Sequence, residues 1–135
     1  MRFVLLGAWL IEATVGLTLV VSWLRTKRHQ AGVIAAHVLP TAVAAALWAT
    51  YVVTEDIVWG WVSFAIITVS LGFGDAVLLG RTKRLVGPGG SMVADYRNTV
   101  GAMLRGRLPG RVIFHAAFSP VVFFGTLAGC IAESW

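Results

Sequence analysis

The chain has 135 residues, 58% of them hydrophobic and 13% charged, with a mean hydropathy of +0.82. A soluble domain is about a quarter charged, so this composition excludes an ordinary soluble fold and indicates a single integral membrane domain. The net charge of +5 is no nucleic-acid signal, because the basic residues sit beside apolar spans, where they set topology and meet anionic headgroups.

Phe3–Leu24 forms the first predicted span, closed by the basic run Arg25-Thr26-Lys27-Arg28-His29. The span is too long for a signal-peptide core and lacks a small-x-small cleavage site, so it is expected to be retained. Glu12 interrupts it near mid-membrane. The second span, Ala31–Val53, carries His37 and Pro40, and Pro40 is expected to kink it or to free the carbonyl of Ala36. Trp48 and Tyr51 are expected to mark its far end, at the membrane interface. The third span, Trp59–Leu79, has Asp75 near its exit and is closed by Arg81, Lys83 and Arg84.

The connection over residues 81–111 is long for a bundle loop. It opens on Gly87-Pro88-Gly89-Gly90, which lacks the GxxxxGK[ST] pattern of a phosphate loop. From Ser91 to Leu108 a helical arc of Met92, Val93, Tyr96, Val100, Met103 and Leu104 predicts an amphipathic interfacial helix, with Asp95, Asn98 and Arg105 facing away. Ser91 is placed to cap it. The fourth span, Val112–Ile131, is almost wholly apolar and long enough to cross roughly 30 Å of hydrocarbon. One narrow face holds His115, Ser119, Val122, Thr126 and Gly129 at helical spacing, and such a stripe implies partner helices.

The predicted fold is therefore all-α: an up-down four-helix transmembrane bundle with an interfacial helix before the last span. Ten of the eleven basic residues fall in the first and third connections. By the positive-inside rule those loops are cytoplasmic and both termini outside, in the plasma membrane. Cys130 is the sole cysteine, so no intrachain disulfide forms.

Four ionisable residues lie within spans, one per helix: Glu12, His37, Asp75 and His115. Counting from the flanking basic residues puts His115 roughly 6 Å, Asp75 roughly 9 Å, His37 roughly 13 Å and Glu12 roughly 20 Å deep. In an up-down bundle the two histidines face each other across a diagonal. On this count Asp75, closest to the histidine level, is the favoured functional carboxylate.

Two opposed histidines are what b-type haem needs as axial ligands, with Arg25, Arg28, Arg81 and Arg111 available to its propionates. This gives the leading expectation, a haem-binding or electron-transfer-associated membrane protein. The same histidines with Asp75 and Glu12 offer a transition-metal site instead. The alternative, from another class, is an accessory subunit or small proton- or ion-coupled transporter, whose polar groups hold the bundle or relay protons. No nucleophile–base pair marks an enzyme. Expected partners are membrane lipid and a second copy or a larger membrane complex, with no nucleic acid.

Overall fold

A computed structural model of the chain describes residues 1–26 and 30–135. Lys27, Arg28 and His29, part of the basic run expected to stop transfer, lie outside the described residues. The described chain is helical throughout its regular elements: α1 (Arg2–Leu24), α2 (Ala31–Thr54), α3 (Ile57–Val86), α4 (Met92–Leu104) and α5 (Gly110–Ala132). Of these, α1, α2, α3 and α5 are long and apolar enough to span a membrane. In hydrocarbon an unpaired backbone group is costly, so such segments close their hydrogen bonds internally as helices.

Local chemistry sets the ends. Glu55 adopts a left-handed conformation (φ 60°) that ends α2, and Asp56 then caps α3 by accepting from the Val58 amide at 3.1 Å. Arg2 pairs with Glu55, tying the start of α1 to this turn. At the other end α3 continues past the third predicted span, through Arg81, Lys83 and Arg84, to Gly87 at φ 85°. Charge marks where a helix leaves lipid; only the positive φ stops it. The Ser91 hydroxyl accepts from the Ala94 amide to start α4, and Gly106 (φ 63°) follows its end. The interfacial helix thus stops at Leu104, short of the expected Leu108. Both α2 and α5 run through their internal prolines, Pro40 and Pro120.

In the bundle α1 packs on α5 and α2 on α3, with α1–α2 and α3–α5 completing a ring. The outer surface is apolar: Leu10, Leu39, Val69 and Phe124 are all exposed. A surface of this kind is consistent with a multi-pass membrane protein. The core gathers Leu5, Trp9, Trp48, Tyr51, Ile67, Val122 and Cys130. Trp48 and Tyr51 are therefore core residues, not the interfacial markers expected. Their rings pack edge to face at 5.0 Å. Trp48 also lies against Gly129, where an added Cβ would stand 3.2 Å from its ring. Trp59 and Trp61 do lie at the surface.

The face of α4 that meets the bundle is the one opposite its apolar arc, as expected of a helix that turns that arc to the membrane. Asp95, Thr99 and Ala102 are buried, while Met92, Val93, Val100 and Leu104 are exposed. Polar contacts to α3 and to the loop after it hold the helix: Lys83 Nζ of α3 lies 2.7 Å from Asp95 Oδ2, and Asp95 Oδ1 accepts from the Gly89 amide of the loop at 2.7 Å. Its apolar arc is left outward. Ala102 and Leu108 join Val112, Leu19 and Leu78 in a second cluster at the basic end of the bundle.

Candidate functional site

Helix α5 presents its small and polar stripe inward. Val122 and Thr126 are fully buried, and Thr126 Oγ1 accepts from Trp9 Nε1 at 3.1 Å. One to two turns toward the basic end, the stripe meets Glu12 of α1. His115 Nδ1 lies 2.9 Å from Glu12 Oε1, off the line a hydrogen bond takes, so the contact is electrostatic. Ser119 Oγ is within hydrogen-bond distance of both Glu12 Oε1 and His115 O, the latter at 2.7 Å. A hydroxyl has one proton, so it serves one acceptor at a time. When Glu12 is protonated its O–H can donate to Ser119, and Ser119 then donates to the His115 carbonyl. The buried carboxyl keeps its other oxygen, Oε2, without a hydrogen-bond partner. Gly16 lets α1 approach this ring, since an added Cβ would stand 3.5 Å from His115 Cε1.

His37 on α2 is held by α3. Its Nδ1 is 3.1 Å from the Ser70 carbonyl oxygen and 3.2 Å from Ser70 Oγ. A carbonyl only accepts, which assigns the ring hydrogen to Nδ1 and leaves Nε2 as the basic nitrogen. Ser70 Oγ also donates to His37 O at 2.8 Å and lies 2.6 Å from Thr41 Oγ1, which itself reaches His37 O at 2.7 Å. The α3 backbone at Gly74 presses on the ring: a Cβ there would be 2.9 Å from His37 Cε1.

The two imidazoles meet across the diagonal, edge to face, with centroids 6.2 Å apart. Three of the four intramembrane ionisable residues therefore form one row: Glu12, His115, His37. Asp75 is not in it. Its Oδ2 accepts from Tyr96 Oη of α4 at 3.0 Å, and that bond pushes the Tyr96 hydroxyl's pKa up. Depth counting favoured Asp75 and did not reveal this role. Among the described residues no three of His, Cys, Asp and Glu converge where they can hold a metal ion. The expected ligand set His37, His115, Asp75 and Glu12 is thus divided between two places.

Of the expected propionate partners, Arg25 and Arg111 line one groove between α1 and α5 with Leu17, Val21 and Thr26. Arg81 is exposed on α3. The chain matches no protein-family model, no curated protein and no solved structure.

Proposed function

We propose that this is a small proton-handling membrane protein, a proton-coupled transporter or the proton-conducting subunit of a larger assembly. The observation that carries the reading is the row Glu12–His115–His37, drawn together from three apolar helices. Glu12 and His115 together hold one labile proton in a net-neutral pair, whichever of them carries it. That avoids the cost of an isolated charge in hydrocarbon. An imidazole can take a proton at one nitrogen and release it from the other. At 6.2 Å between centroids, one bridging water completes the step from ring to ring. His37 Nε2 takes the proton from that water and returns it to a water on the side of the basic end of the bundle, while Nδ1 keeps its proton on the Ser70 carbonyl. By the positive-inside rule we assign that end to the cytoplasm.

The test is proton flux into vesicles containing the purified protein and a trapped pH dye, driven by a potassium diffusion potential. Wild type should exceed empty vesicles, and Glu12→Gln, His115→Ala and His37→Ala should each lose most of the flux. Flux unchanged in all three variants, or absent in wild type, overturns the reading.

Haem ligation by the same histidines is the second reading. It is favoured by the proteinaceous contacts at both Nδ1 atoms, which leave each Nε2 as the available ligand atom. A macrocycle also needs a flat slot between the helix pairs, and the close approach of Gly74 to His37 and Gly16 to His115 narrows it. An absorption spectrum of protein from haem-replete cells separates the two: a Soret band lost in both His37→Ala and His115→Ala supports ligation, and a colourless protein rejects it.

A further inference from the structure

We infer that the groove between α1 and the start of α5 is a binding site for one anionic glycerophospholipid, with its phosphate held between Arg25 and Arg111. The groove encloses about 400 Å³ at the basic end of the bundle and is walled by Leu17, Thr18, Val21 and Thr26. Both arginines are exposed, and neither has an ion-pair partner among the described residues. They come from different helices, one at the end of α1 and one in the first turn of α5. Two guanidinium groups facing one hollow repel each other unless an anion lies between them.

Three further features fit a phospholipid. Helix α5 starts at Pro109 with no side-chain cap and no acidic residue in its first turn, so its positive end faces the same place. Thr18 and Thr26 donate their hydroxyl protons to the carbonyls of Val15 and Trp23, so recognition of the headgroup falls to the arginines. Below them Leu17 and Val21 are exposed and apolar, a surface for an acyl chain. A second hollow on α1, formed by Leu10, Ile11, Thr14 and Val15, has the apolar wall without any charge. It offers chain contact but no headgroup selection.

The test is native mass spectrometry of the full chain released from micelles holding equal amounts of phosphatidylglycerol and phosphatidylcholine with identical chains. A lysine or arginine at the membrane surface is worth about fivefold in anionic-lipid affinity. Wild type should therefore retain phosphatidylglycerol more than about tenfold over phosphatidylcholine. Arg25→Gln and Arg111→Gln should each lose about fivefold, and the double variant nearly all of the preference. Arg97→Gln/Arg105→Gln, on α4 and at its C-terminal end, removes the same charge elsewhere and should retain it. A wild type without preference, or an equal loss in the α4 variant, overturns the site. If circular dichroism shows the double variant unfolded, the two single variants decide, and no loss in either overturns it.

Discussion

Glu12 Oε1 lies 2.9 Å from His115 Nδ1, while Glu12 Oε2 is buried without a hydrogen-bond partner. On the proton-handling reading proposed above, this is the carboxyl that takes up and releases the proton. Glu12→Gln keeps the shape and the Ser119 hydrogen bond but removes the exchangeable proton. Proton flux should fall about a hundredfold, the low end for losing a proton-transfer group, with little change in thermal midpoint. Glu12→Ala should fall equally in flux and also lose about 1–3 kcal/mol of stability, since Ser119 then loses a buried acceptor and His115 its electrostatic partner. A Gln variant that is unstable but fully active would mean that Glu12 only holds helices together.

Gly74 and Gly72 make a matched pair. A Cβ at Gly74 would fall 2.9 Å from His37 Cε1 and 3.1 Å from Nδ1, whereas Gly72 has nothing within 4 Å. The imidazole cannot easily yield, because Ser70 holds it. Gly74→Ala should displace the ring, cut flux sharply and destabilise by about 1–3 kcal/mol as overpacking does. Gly72→Ala should leave both unchanged. Thermal melts and vesicle flux on the two variants check this; equal effects would show that His37 has room to move.

The spans were legible in the sequence because length and hydropathy alone define them, and the histidine pair because an up-down ring brings α2 and α5 onto one diagonal. The partnership of Glu12 with His115 was not. Depth counting took Arg25 and Arg111 as one level. In the structure Arg111 shares a groove with Leu17 and Val21, and Leu108 and Val112 pack with Leu19. Leu19 is six residues before Arg25, so α5 starts roughly 9 Å deeper than α1 ends. That offset lifts His115 to the level of Glu12. What spacing within α4 does not reveal is its docking: the apolar arc faces outward as an interfacial helix requires, but that Asp95 on the opposite side meets Lys83 of α3 is a tertiary contact.

Ser70→Ala removes the hydroxyl that joins His37 O and Thr41 but leaves the carbonyl that holds His37 Nδ1. Stability should drop by about 1 kcal/mol, the net value of a buried hydrogen bond. The ring stays in register, so flux should fall far less than in Glu12→Gln. A Ser70→Ala variant as inactive as Glu12→Gln would place the serine hydroxyl on the proton route itself.

The hold of α4 on α3 should depend on pH at both extremes. Lys83 and the Gly89 amide hold the Asp95 carboxyl below its ordinary value of 3.8. A depressed acid stabilises the docked state above its unfolded pKa and loses that contribution as pH falls through the folded one. The α4 anchor should therefore loosen in acid, below about pH 4. Tyr96 has the opposite sign: donation to Asp75 raises it above its ordinary 10.0, so its contribution is complete below that pH and is lost as pH rises through the folded value. A spin label on Val93→Cys reports the motion, because Val93 is exposed and the native Cys130 is fully buried. The label should be slow near neutrality and mobile at either extreme. Asp95→Asn should be mobile already at neutral pH, with its acid transition gone, and Tyr96→Phe should lack only the alkaline one. Mobility that ignores pH in wild type would mean that the cluster of Ala102, Leu108 and Val112 fixes α4 without these polar contacts.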